Sequence, residues 1–129
     1  MDIGAHTWVI PEGHLPPGSA PDDPGLQSHE TMCVLNASER DAKVEVTIYF
    51  ADREPAGPFR FTVRAERTAH VRFDDLDDPE RLPRGTDFAS VIRSDVPVVV
   101  QHTRLDSRAA ENALMTTMAF AADVTSVAS

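Results

Sequence analysis

Residues 86–114 read TDFASVIRSDVPVVVQHTRLDSRAAENAL, where a buried-strand signal runs directly into a cluster of groups able to hold a polar ligand. Successive side chains of a strand point to opposite faces, so Val98, Val100, His102, Arg104 and Asp106 share one face. The apolar half of that face belongs in a core and the polar half emerges at its edge. Asp87 to Ser94 and Val96 to Arg104 read as two strands forming the last strong pair, split by Asp95 and Pro97. Pro97 is permitted near a strand start because its missing N–H can face an edge or a bulge. Beyond it, Ser107 to Asn112 reads as a turn with some helical character, and Leu114 to Phe120 as a final strand.

Upstream, 10 prolines and 6 glycines cut the chain into short extended segments. Ala5 to Ile10 reads as a first strand, followed by PEGHLPPGSAPDDPG as a long surface loop of the kind that often carries function. His29 to Ala37 and Lys43 to Ala51 read as a hairpin around the polar turn Ser38 to Asp41. Within the second of these runs Val44, Val46, Ile48 and Phe50 alternate with Lys43, Glu45, Thr47 and Tyr49, the pattern of a half-buried strand. Phe59, Phe61 and Val63 form the inward face of the next strand, and Val71 and Phe73 that of another. DDLDDPERLPRG is a solvated acidic loop without the spacing of a calcium loop. Seven or eight short strands at this spacing predict an all-β, single-domain β-sandwich, jelly-roll-like, over residues 1–121, with a flexible C-terminal tail over 122–129.

The chain has 129 residues, which fits one domain. Twelve Lys and Arg stand against 21 Asp and Glu, a formal net charge of −9 that repels phosphate backbones. DNA binding is therefore disfavoured, although Arg60, Arg64, Arg67 and Arg72 lie close enough in sequence to form a local basic patch. The single cysteine, Cys33, excludes an intrachain disulfide and reads as a small buried thiol, which fits a reducing cytoplasm. The opening MDIGAHTWVIPEGH lacks the basic and apolar regions of a signal peptide, and no apolar run approaches the ~20 residues of a membrane span.

No catalytic or phosphate-binding motif is present, so no cofactor is implied. The candidate ligand-binding residues are Trp8, His29, Glu30, His102, Arg104 and Asp106. His29, Glu30 and His102 are ligand types that zinc or non-haem iron accept, or equally histidines that satisfy buried polar groups. Arg104, Asp106, Arg108 and Glu111 form an alternating-charge set, read either as mutual salt bridges or as a guanidinium edge for a ligand. Trp8 is suited to stacking on a sugar ring or to filling the core. Leu114, Met115, Met118 and Phe120 suit a last core strand or a subunit contact.

Four blocks, IPEGHLPP (10–17), SHETMCVLNA (28–37), VEVTIYFADREPAGPFRFTVRAERTAHVRFDDLDDP (44–79) and the stretch at 86–114, together resemble the sensory rhodopsin transducer family. The resemblance runs from about Trp8 to Ala121, nearly the whole chain. It implies an all-β sandwich assembled as a cytoplasmic homotetramer, with no catalytic residue and with a membrane photoreceptor, a sensory rhodopsin, or another signalling protein as partner. Two functional readings follow. The first is a non-enzymatic signalling adaptor working through protein–protein contacts; the alternative is a binder of a small carbohydrate or polyol. An enzyme of sugar metabolism, using His29, Glu30 or His102, is the least supported.

Overall fold

The computed structural model describes residues 2–17, 28–106 and 113–123. The expected turn at 107–112, with Arg108 and Glu111, and all but the first two residues of the expected tail lie outside the described residues, as does the second half of the proline-rich loop. Strands run in the order β1 (Ala5–His14), β2 (His29–Asn36), β3 (Ala42–Phe50), β4 (Ala56–Val63), β5 (Arg67–Arg72), β6 (Asp87–Asp106), β7 (Ala113–Met118) and β8 (Phe120–Ala121). All pairings are antiparallel.

The two strands expected at 87–104 are one strand of 20 residues, β6. Every second residue from Phe88 to His102 is buried along it. Its first half lies between β3 and β1, in the sheet order β4-β3-β6-β1-β8. Its second half lies between β2 and β7, giving β5-β2-β6-β7. Asp95 and Pro97 mark the handover between these partners, since the ladder to β3 ends at Ser94 and the ladder to β2 begins at Val99. A proline there deprives neither ladder of a donor. Asp95 is used as well, its carboxylate accepting from the Lys43 backbone N–H at 2.7 Å.

The fold class read from the sequence holds: an all-β single domain, with the core filled by Ile10, Met32, Val34, Val46, Ile48, Phe59, Phe73, Ile92 and Val98, among others. Burying each such side chain contributes ~1.5–3 kcal/mol. The expected hairpin between 29–37 and 43–51 does not form. β2 pairs with β5 and β6, while β3 pairs with β4 and β6, so the chain crosses from one sheet to the other between them. The buried Asn36 side chain secures that crossing. Its amide donates to the carbonyls of Arg40 at 2.8 Å and Val63 at 3.0 Å, and its oxygen accepts from Ser38 N–H at 3.0 Å.

β1 also runs four residues past Ile10, through a register shift between Ile10 and Gly13. Gly13 is required there because a Cβ would stand 2.4 Å from the Phe88 ring. Cys33, expected to be buried, is only half-buried on β2, facing Gln101 across the ladder to β6. After β5 a short 3-10 turn, Phe73–Asp75, leads into the acidic loop. Asp74 is not solvated there: the Arg72 guanidinium grips it through Nε at 3.0 Å and Nη2 at 2.6 Å. Arg84 reaches the same carboxylate at 3.5 Å and donates to the carbonyl of Pro16 at 3.2 Å.

Burial works to raise the Asp74 pKa, but the hydrogen bond and charge of Arg72 outweigh it and hold the carboxyl below its usual value. The unfolded chain therefore binds the Asp74 proton more readily than the folded one. The stabilisation is complete above the ordinary carboxylate range and disappears as pH falls through the depressed value. Asp74→Asn is expected to cost about 1.5–3 kcal/mol in urea denaturation at neutral pH, and the gap to the parent protein should narrow as the solution is acidified.

Candidate functional site

β2 carries Glu30, Met32, Val34 and Asn36 inward by alternation, and all four are buried. Met32 and Val34 are ordinary core residues and Asn36 is the amide that secures the sheet crossing; Glu30, at 0% exposure, is a carboxylate among them. A carboxylate in such a place needs donors from the protein to replace the water it has lost. Register supplies them. Glu30 faces Arg104 across the ladder to β6, with His102 two residues back on the same face. His102 Nε2 lies 2.5 Å from Glu30 Oε1, and Arg104 Nη2 lies 3.2 Å from Oε2. A third donor, the backbone N–H of His14, bonds Oε2 from the end of β1. Because the ionised Glu30 only accepts, His102 donates through Nε2, and this fixes its tautomer when the ring is neutral.

Around this centre the Arg104 guanidinium also approaches Glu12 Oε1 at 3.6 Å. The His14 ring pairs with Asp87 at 2.8 Å. Glu12, His14 and Asp87 were not among the candidates read from the sequence. They join the site because β1 continues through Pro11 and Gly13, which read as loop punctuation.

The structure brings together Glu30, His102 and Arg104, but distributes the other candidates differently. His29 is one residue along β2, opposite Leu105, and therefore on the other face of the sheet from Glu30. Trp8 is in the core, its indole N–H donating to the carbonyls of Val98 at 2.9 Å and Ala5 at 3.1 Å. Asp106 sits further along β6, half-buried beside a small recess that His14 and Arg104 also line. Among the described residues, no three His, Cys, Asp or Glu side chains are grouped so as to hold a metal ion. Of the sequence-adjacent arginines, Arg60 pairs with Glu45 at 3.0 Å and Arg72 with Asp74, which neutralises half of that basic set.

His102 and Arg104 line a groove of about 560 Å³. β1 contributes Ile10, Pro11 and Glu12 to one wall, and the chain from Met115 to Phe120 contributes the other. Leu114, Met115, Met118 and Phe120 are 69%, 55%, 57% and 67% exposed, so they make an apolar ridge rather than the core strand that was one reading of them. Chemically the site offers a fixed imidazole, a pinned guanidinium and apolar walls.

A family model described as Anabaena sensory rhodopsin transducer matches residues 3–121. The solved structure of the Anabaena sensory rhodopsin transducer is 59% identical with a TM-score of 0.76, the match covering 84% of this chain and 94% of that one. A Thermotoga maritima protein of known crystal structure is 32% identical with a TM-score of 0.80, the match covering 91% of this chain and 94% of its own. No curated protein matches. Among the described residues, no helix is long and apolar enough to cross a membrane.

Magnitudes separate the buried centre from surface pairs. Removing one partner of a buried ion pair costs about 3–5 kcal/mol, because the other charge is left uncompensated. An exposed pair such as Arg53 with Asp52 is worth about 1 kcal/mol or less. Glu30→Gln is therefore expected to lower the unfolding free energy by several times more than Asp52→Asn, as measured by urea denaturation of both proteins in one buffer.

Proposed function

The chain belongs to the Anabaena sensory rhodopsin transducer family, and on that basis we propose that it is a non-enzymatic signalling adaptor, acting in the cytoplasm through protein–protein contacts of a homotetrameric β scaffold. Its partner is a membrane photoreceptor of the sensory rhodopsin type or another signalling protein. The single observation that carries this reading is the ridge of Leu114, Met115, Met118 and Phe120, which leaves four large apolar side chains more than half exposed on two strands consecutive in the chain. Isolated exposed apolar residues are ordinary, but four large ones in one short stretch of chain favour association. β7 adds a second incentive, since its described pairing is to β6 alone, on one side. Closed association of identical ridges about a symmetry axis buries them without a new fold.

The site supports an adaptor better than an enzyme. The Glu30 carboxylate is fully engaged by His102, Arg104 and the His14 N–H, which makes it a structural anchor and leaves it poorly placed to exchange protons with a substrate. The alternative of a carbohydrate or polyol ligand is favoured less, because the groove above His102 and Arg104 is walled mainly by apolar side chains. The net charge of −9 directs docking toward basic partner surfaces and makes the association rate sensitive to salt.

Light scattering of the purified chain is expected to give a mass four times that of one chain, and Met118→Asp a smaller species. A monomeric parent protein would remove the tetrameric scaffold. A sensory rhodopsin in nanodiscs is expected to bind the tetramer at low salt and release it at high salt; no binding at any salt would leave the rhodopsin partner unsupported and direct attention to soluble signalling proteins.

A further inference from the structure

We propose that the beginning of β1 is a docking edge for an extended peptide segment of a partner protein that carries one carboxylate, and that the chain's own residues 119–123 close this edge in cis. The geometry is a carboxylate grip made of backbone. His6 N–H and Thr7 N–H both donate to Asp123 Oδ1, each at 2.7 Å. In a regular strand successive N–H groups point to opposite edges, so one oxygen does not answer two of them in a row. The pleat is broken at this point: between Ala5 and Thr7 the partners on β6 jump from Val98 to Arg93. His6 braces the irregular residue, its Nδ1 donating to the carbonyl of Ser94 at 3.1 Å. Successive amides aimed at one anion make a concave site of the kind that holds carboxylates and phosphates.

The segment seated on the edge shows what the edge accepts. Phe120 and Ala121 pair with Val9 and Trp8, and the Ala122 N–H donates to the carbonyl of Thr7 at 2.8 Å. Those bonds require an extended backbone, and the grip requires a carboxylate just past the paired residues. The Phe120 side chain is largely exposed, so the edge places little demand on the residue that stands there. A single acid suits the site better than an acidic run, which the net charge of −9 repels. Strand addition of this kind draws its affinity from main-chain bonds and its specificity from the few groups that meet a matching site.

The cis segment holds the edge lightly. Its ladder to β1 joins two residue pairs, against seven between β1 and β6. Ala119 alone separates it from β7, which belongs to the other sheet. Asp123 is exposed, so water competes for its carboxylate. Segments with few buried contacts and exposed hydrogen bonds are the ones that open locally. Lifting this one leaves Thr7, Trp8 and Val9 as an unpaired strand edge with an empty grip beside it, and a partner segment of the same pattern takes its place. Asp123 is then the pin of the closed form, because a charged acceptor makes the stronger hydrogen bonds of the set.

The test uses the full chain and a dye-labelled, amidated peptide AFAAD, the sequence of residues 119–123, read by fluorescence polarisation. Asp123→Ala, a change at an exposed position, removes the pin. Saturable binding to this variant is expected, about tenfold or more tighter than to the parent protein, whose own Asp123 competes. The peptide AFAAN, without the carboxylate, is expected to bind the variant about tenfold or more weaker than AFAAD. Amide hydrogen exchange followed by NMR gives a second reading: His6 and Thr7 should exchange about tenfold or more faster in Asp123→Ala, with Val46 and Ile92 in the β3–β6 ladder unchanged. The proposal is overturned if AFAAD does not bind the variant, if the parent protein binds it as well, if AFAAN matches AFAAD, or if His6 and Thr7 exchange alike in both proteins. It also fails if Asp123→Ala changes the mass of the assembly, because the segment then sits on a second copy. The mass of the parent protein and its binding to a sensory rhodopsin are read separately, so this inference and the adaptor reading fail independently.

Discussion

The buried carboxylate of Glu30 constrains more of this molecule than any other single group, because a charge removed from water dictates what must surround it. Its donors come from two strands, His14 at the end of β1 and His102 and Arg104 along β6, and meet it on a third, β2. The bulge that extends β1 past Ile10, the register that sets Glu30 against Arg104, and the length of β6 all have to be correct together for those bonds to form. Apolar burial excludes a one-residue slip but leaves parity intact after a slip of two; a sealed carboxylate tolerates neither. The hub thus serves as a register pin beside the groove that His102 and Arg104 line.

β6 makes that arrangement possible. By running through both sheets it carries core valines at Val96, Val98 and Val100 directly into His102 and Arg104, so a rigid element positions the polar pair. Close to the hub, Asp74 makes a second and smaller anchor: Arg72, paired with Thr31 next to Glu30, and Arg84 tie it to the chain near Pro16. What stays uncommitted is the ridge on β7 and β8, a surface available for association without disturbing either anchor.

Much of this was legible in the sequence, for identifiable reasons. The face shared by Val98, Val100, His102, Arg104 and Asp106 follows from period-two alternation, and Glu30 was a candidate as a ligand type beside His29. Three features were hidden. Pro97 reads as a break, yet it falls where the strand changes neighbours and costs no bond. The polar turn after Asn36 announces a change of direction without saying which sheet the chain enters. In β1 the bulge flips the inward parity from Trp8 and Ile10 to Gly13 and Leu15, which moves Glu12 and His14 to the site in a way no simple alternation reveals. Trp8 was ambiguous for a different reason: its N–H needed an acceptor, and only the fold shows that Val98 provides it.

The most direct test of Glu30 as the hub is a double-mutant cycle with Glu30→Gln, Arg104→Met and the combined variant, followed by urea denaturation. The account predicts strong coupling, with the double variant more stable than the sum of the single losses by about 1.5 kcal/mol or more, because removing both charges leaves neither one stranded. Losses that add to within about 0.5 kcal/mol would contradict it, and would reduce the pair to two independent core residues.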